Sequence, residues 1–286
     1  MKKTLFGLLT AAVVALTYFI LFTPQGVHFY GEVLFPENET KDYAPKDYPT
    51  AITETKTART IPLPAAVMQP SGIDYDVSNN RFFIVTDQAE IIELSADFQT
   101  VASSVEMSNA PLFFRQGTIE SNDFYQDHLY VSGDLGEIEL WTKDGAEWKQ
   151  AGKVEISSPS EIESEGMAIN PANGDLYMGD GSTIQVVDEA GYYKKTLALK
   201  AEAKPGRSLS EYIIAGMDFH DGLLYIVTEY HSAILAVDPE TGEIQNIYAL
   251  KGITEGAGLA VTNDAFYIVV DHELNEPSPG IHVYPR

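Results

Sequence analysis

The sequence contains no cysteine. Disulfides, thiolate metal sites and cysteine nucleophiles are therefore excluded. Basic residues are scarce: Lys and Arg number 18 against 42 Asp and Glu, a net charge of −24. A chain this acidic repels phosphate backbones, which argues against a nucleic-acid partner. It also repels anionic lipid headgroups, so an inserted segment is its remaining means of holding a membrane. The usual catalytic signatures are missing: there is no Gly-x-Ser-x-Gly elbow, no His-Glu-x-x-His, no P-loop and no Gly-x-Gly-x-x-Gly after a strand. Asp180-Gly181-Ser182-Thr183 and Asp271-His272-Glu273 resemble pieces of calcium loops. Neither carries the acids that an EF-hand needs over its roughly 12 positions. What the chain does have, in 286 residues, is 44% hydrophobic and 21% charged residues. That is enough apolar matter for a sizeable core, and it excludes a disordered or collagen-like chain.

One long hydrophobic run exists. Lys2 and Lys3 precede the uncharged segment Thr4 to Thr23, 20 residues in all. This is the length of a helix that crosses a bilayer core of roughly 30 Å. A cleaved signal peptide has a shorter core and a small-x-small site. Here the run ends on Tyr18-Phe19-Ile20-Leu21-Phe22 with no Ala-x-Ala. The expectation is a signal anchor over residues 1–23, its lysines kept in the cytoplasm and the remainder exported. Residues 24–55 carry Pro24, Pro36, Pro45 and Pro49 among charged residues and threonines, the composition of an extended stalk.

From residue 56 to 286 the chain repeats. Each unit opens on a glycine and an apolar residue, passes a turn, and continues with an aromatic residue in an apolar strand that ends in an acid. Two more strands follow. The opening glycines stand at 72, 117, 166, 216 and 258, spaced by 45, 49, 50 and 42. The strands closing in acids are Phe82 to Asp87, Leu129 to Asp134, Leu176 to Asp180, Leu224 to Glu229 and Phe266 to Asp271. Periods of this size with three or four strands each predict propeller blades. A β-sandwich has many short strands too, but no such period. Four units finish with a fourth strand and the last does not, while Thr57 to Leu63 precedes the first unit as an unassigned strand. Pairing that segment with Gly280 to Tyr284 would close the ring. The expected fold is therefore all-β: a five-bladed β-propeller preceded by a single transmembrane helix.

The repeats Pro70 to Tyr75, Ser164-Glu165-Gly166-Met167-Ala168-Ile169 and Ile214 to Phe219, behind an N-terminal anchor, resemble the SdiA-regulated family of bacterial envelope proteins. The resemblance implies a five-bladed propeller, distantly similar to NHL-repeat propellers, that carries a calcium site. It implies no reaction. It also places the protein in the bacterial inner membrane, single-pass, with the propeller in the periplasm.

The strand-end acids Asp87, Asp134, Asp180, Glu229 and Asp271 are expected to ring one rim, with Asp74, Glu120, Glu165 and Asp218 nearer the central channel. Oxygen-only clusters suit Ca²⁺ or Mg²⁺ rather than zinc. Among them, Glu165 sits in the intact Glu-Gly pair of the family pattern. Glu120 on the preceding blade is the expected second carboxylate, and Asp134 and Asp180 end the adjoining strands. His231 and His272 are weighed as bases, and Tyr192, Tyr193 and Tyr230 as exposed binding residues. Most of the repeat tyrosines are expected to pack between blades. These features make a calcium-binding module for a small molecule or an envelope protein, with a calcium-dependent, lactonase-like hydrolase as the alternative.

Overall fold

The computed structural model describes residues 52–286, apart from 56–58, 65–66, 68, 88, 96, 108–118, 134–136, 146, 160–161, 163, 201–212, 229–231, 252, 254–255 and 271–279. The segment 1–23 and most of 24–55 lie outside the described residues. Among the described residues no helix is long and apolar enough to cross a membrane.

The fold is a five-bladed β-propeller, each blade an antiparallel sheet. Blade 1 comprises β3 (Pro70–Asp76), β4 (Arg81–Thr86), β5 (Glu90–Ser95) and β6 (Val101–Glu106). Blade 2 comprises β7 (Ile119–Tyr125), β8 (His128–Gly133), β9 (Ile138–Asp144) and β10 (Glu147–Val154). Blade 3 comprises β11 (Gly166–Ile169), β12 (Leu176–Asp180), β13 (Thr183–Val187) and β14 (Tyr193–Ala198). Blade 4 comprises β15 (Ile214–His220), β16 (Leu223–Thr228), β17 (Ala233–Val237) and β18 (Ile244–Ala249). Blade 5 takes β19 (Gly258–Val261), β20 (Ala265–Val270) and β21 (Gly280–Pro285) from the C-terminus and β2 (Arg59–Pro62) from the other end of the domain.

Ring closure follows the sequence expectation. Arg59 stands opposite Val283 and Pro62 opposite Gly280 in an antiparallel ladder. A further strand, β1 (Ile52–Glu54), adds to the outer edge of β18 in parallel. Thr55 fastens it with two hydrogen bonds to the Ala249 carbonyl, from the backbone N–H at 3.0 Å and from the hydroxyl at 2.9 Å. β1 and β2 thus line the outer edges of two successive blades, 4 and 5.

The innermost strands touch in the order β3, β7, β11, β15, β19 and back to β3. This close approach explains the repeated glycine. A Cβ on Gly216 would lie 2.8 Å from the Ala257 carbonyl oxygen and 2.9 Å from the Gly258 Cα. A Cβ on Gly258 would lie 2.7 Å from the Gly72 Cα. Backbone stands against backbone, so no side chain can rotate out of the way.

Among the described residues, aromatic pairs stitch four of the five blade boundaries. Tyr177 meets Phe219 at 5.0 Å, Tyr225 meets Phe266 at 5.6 Å, Phe82 meets Tyr267 at 4.9 Å and Phe83 meets Phe124 at 5.2 Å, measured between ring centroids. Blades 1 and 2 are also joined by an ion network. Glu93 on β5 takes the Arg81 guanidinium at 3.1 Å, the Lys143 ammonium and the Ser103 hydroxyl at 2.5 Å. Burial alone would raise the Glu93 pKa, but the hydrogen bonds from Lys143, Ser103 and Arg81 outweigh it and hold the carboxyl below its ordinary value. The stability it contributes is therefore present above its unfolded-state pKa and is lost as pH falls through the lower folded-state value.

The turns away from the long loops are tight. Asp221 and Gly222 both have positive φ, 49° and 78°, as a two-residue type I′ hairpin requires. Where the backbones of the inner strands meet, the outcome of an added methyl is decided by contact alone. Gly258→Ala should lower the melting temperature by roughly 2–12 °C, since overpacking costs about 1–3 kcal/mol. Gly152→Ala, whose Cβ would meet nothing within 4 Å, should leave it nearly unchanged. Thermal unfolding of the two variants side by side checks this.

Candidate functional site at the propeller axis

The register of the inner hairpins aligns the blades residue by residue. Gly72 stands opposite Val85, Ser121 opposite Ser132, Gly166 opposite Gly179, Gly216 opposite Val227 and Gly258 opposite Val269. This corrects two expectations. The repeat glycine of blade 2 is not Gly117, which lies outside the described residues; Ser121 holds its place. Asp180 does not align with Asp87, because the blade 3 strand is one residue shorter. Asp180 takes the place of Thr86, Gly133, Thr228 and Val270.

Two levels of the axis emerge from the alignment. The residue just before the glycine position is Ser71, Glu120, Glu165, Ala215 or Ala257 in the five blades. In blades 1, 2 and 4 this residue is the extra one of a β-bulge, a device that re-aims a side chain at a strand end. Blades 2 and 3 therefore carry Glu120 and Glu165 at the same register on adjacent inner strands. The Glu165 amide donates to the Gly179 carbonyl at 3.3 Å, and its side chain is half-buried. Asp180, on the strand paired with β11, is half-buried too and accepts a hydrogen bond from Gln185 at 3.3 Å. The backbone thus brings Glu165, Glu120 and Asp180 to one end of the axis. The Glu120 side chain, Asp134, Glu229, Asp271, His231, His272 and Tyr230 lie outside the described residues. Tyr192 and Tyr193 are exposed, as expected, but on the outer strand of blade 3 and its approach. Among the described residues no group of three or more His, Cys, Asp or Glu side chains could hold a metal ion.

The second level lies two residues past the glycine position. Three blades place aspartate there: Asp74, Asp123 and Asp218. Blades 3 and 5 have Ala168 and Ala260. Each carboxylate reaches across to the next inner strand. Asp74 accepts from the Phe124 amide at 2.6 Å, Asp123 from the Ile169 amide at 2.5 Å and Asp218 from the Val261 amide at 2.5 Å. Each also accepts from the amide of its own following residue: Tyr75, Phe124 and Phe219 respectively. Three carboxyls therefore serve the five equivalent amides Tyr75, Phe124, Ile169, Phe219 and Val261, whose strand edges have no further strand to pair with. Burial pushes the Asp74 carboxyl up to about 6, against the pull of the two amides. Asp123 and Asp218 stand well above the usual range, first through burial and then through the charges of the other aspartates.

Asp74 and Asp218 were legible as acids near the channel; Asp123 was missed. The signal for it was the pair of aspartate and aromatic residue, Asp74-Tyr75, Asp123-Phe124 and Asp218-Phe219. A search anchored on glycine passes over it, because blade 2 has serine there.

Blade 2 departs from the repeat once more. Asn122 occupies the place of Ile73, Met167, Met217 and Leu259. It is buried, and neither its side-chain nitrogen nor its oxygen has a hydrogen-bond partner among the described residues.

No family model and no curated protein matches the sequence. Solved structures do resemble the fold. A glutaminyl cyclase of Myxococcus xanthus superposes with a TM-score of 0.62 at 16% identity, over 82% of this chain and 97% of that one. A PQQ-bound aldose sugar dehydrogenase of Streptomyces coelicolor gives 0.50 at 10% identity, over 81% and 98%. A calcium-binding regucalcin from Agrobacterium tumefaciens gives 0.49 at 8%, over 82% and 96%. At 16% identity the likeness to the glutaminyl cyclase supports the propeller fold, and not the SdiA-regulated family or an activity.

A buried amide without partners costs about 1–3 kcal/mol. Asn122→Met, which installs the residue that blades 3 and 4 use, should stabilise the domain by about 1–2 kcal/mol. The measurement is the midpoint of urea unfolding. A lowered midpoint would show that Asn122 is partnered in solution by water or a ligand.

Proposed function

We propose that the chain is a calcium-binding recognition module of the bacterial cell envelope. An uncleaved helix over residues 1–23 holds it to the inner membrane, and the propeller stands in the periplasm as a member of the SdiA-regulated family. One observation carries the metal part of this reading: the shared register of Glu120 and Glu165 on neighbouring inner strands, with Asp180 on the adjoining strand. Calcium takes 6–8 oxygens at about 2.3–2.6 Å. Glu165, Glu120, Asp180 and Asp134 are the side chains assigned to it, with backbone carbonyls and water completing the set. A binding role is favoured over catalysis because the carboxyls at the second level are committed to backbone amides. They are not held ready for a substrate. The ligand is then met at the end of the axis where Glu165 and Asp180 stand, and it is a small molecule or an envelope protein.

Calcium that binds only the folded chain stabilises it by about 2.7 kcal/mol at 100 times its dissociation constant, a melting shift of roughly 5–10 °C for a domain of this size. Thermal unfolding with excess calcium and with chelator should show that upshift in the parent and little of it in Glu165→Gln. A parent that melts identically in both conditions removes the metal from the proposal. For the anchor, mass spectrometry of the native protein from the membrane fraction should find residues 1–23 retained. A mature N-terminus near Gln25 or Gly26 would mean a cleaved signal and a free propeller.

A further inference from the structure

The chain enters the propeller by way of two edge strands with unequal tasks. Blade 5 has three strands of its own and depends on β2 for its fourth. That closure is short. β2 has four residues, Ile61 is its one buried side chain, and Pro62 has no N–H to donate to the ladder. β1 has no part in closing the ring. Blade 4 already has four strands in β15 to β18, and β1 is a fifth, which no other sheet has among the described residues.

Side chains fasten β1 on both sides of its short ladder. Ile52, Thr53 and Glu54 stand opposite Ile247, Tyr248 and Ala249. The Asn246 Nδ2 donates to the Thr53 hydroxyl at 3.1 Å. Just past the strand, the buried Thr55 places both its amide and its hydroxyl on the Ala249 carbonyl. The strand that receives them is well rooted. β18 pairs along β17, whose five residues are all buried, and Ile247 and Ala249 are buried too. Arg59 follows Thr55 by four residues, so at most about 14 Å of chain separates the two attachments.

We propose that β1 is a strain relief: it takes up tension that arrives along the chain from its N-terminal side and keeps it off β2. Tension meets the first fixed point of a chain before any later one. While Thr55 holds Ala249, a pull from that side is delivered to blade 4 through β18, and β2 carries none of it. Once β1 lets go, the same pull falls on β2, and the ring has Arg59–Pro62 to resist it. The biological use of the device rests on the reading of residues 1–23 as a retained anchor, which makes the stalk the line along which the propeller is pulled. A strand that only covers an edge gives no reason for its place directly ahead of the closing strand.

The test is single-molecule pulling on the full chain in detergent, with chelator present. The chain has no cysteine, so Val77→Cys, in the exposed turn between β3 and β4, supplies a unique handle. A load applied between the N-terminus and that handle passes through β1 and β2. A load between the handle and Arg286 bypasses β1. Both are applied to the parent carrying the handle, to Thr55→Val, which removes the hydroxyl, and to Thr55→Pro, which removes both bonds to Ala249. Forced opening is governed by the unfolding rate. Under N-terminal load the ring should open roughly tenfold faster at equal force in Thr55→Pro, with a smaller rise in Thr55→Val. Under the bypass load the three should open alike, and they should melt within roughly 2 °C of one another. Equal opening rates under N-terminal load overturn the proposal, because β1 then bears no load. Equal acceleration in both geometries, or a larger fall in melting temperature, overturns it as well, because β1 is then a brace for the whole domain. The handles supply the pull, so a cleaved signal would defeat the anchor reading and leave the load path to be judged on these rates.

Discussion

The packing of five innermost strands around one axis is the constraint from which the rest of the propeller follows. Five sheets around a ring bring their inner edges very near. At the glycine level the backbones of blades 3, 4, 5 and 1 meet so closely that a Cβ would sit 2.7–3.3 Å from its neighbours. A strand edge in that position has no strand to pair with, and water has little room. The amides two to three residues further on still require acceptors, because an orphaned buried N–H is costly. The aspartates supply them at the expense of gathering charge. The glycine and the aspartate of the repeat are thus two answers to one crowding problem.

Outside the axis the blades are held by different physics. Apolar side chains of the second and third strands fill the gaps between sheets, with an aromatic residue at the start of each second strand doing much of the packing. Burial of such a side chain contributes about 1.5–3 kcal/mol. Blade 2 shows the contrast. It replaces the glycine with Ser121 and the next apolar residue with Asn122, and it compensates at the periphery. There Glu93 of blade 1 binds Lys143 of blade 2, and Arg81 lies over Phe83 and Phe124 at 5.0 and 5.6 Å. The irregular blade also carries Glu120, so the departure from the repeat and the proposed ion site coincide on one inner strand.

The proposed calcium site and the buried aspartates lie at two levels of the inner strands, one residue before the glycine position and two after it. Each gathers carboxylates in a chain with a net charge of −24.

The sequence by itself determined the blade count, the strand order within each blade and the closing strand at Arg59 to Pro62. These depend on local periodicity and on a repeat visible to a one-dimensional search. It also marked Asp74, Asp218 and Glu165 as acids near the channel. It did not fix register in blade 2, because Gly117 offered a false anchor and Ser121 hid the true one. Nor did it show that Asp180 stands one residue out of step with Asp87. Only the tertiary structure decided these points, since a one-residue slip reverses which face a side chain occupies and the ladder to the neighbouring strand alone reveals it. The pairing of three carboxyls with five amides lay further still from the sequence. It joins residues about 43 to 50 positions apart across blade boundaries, and only the ring brings them within hydrogen-bonding distance.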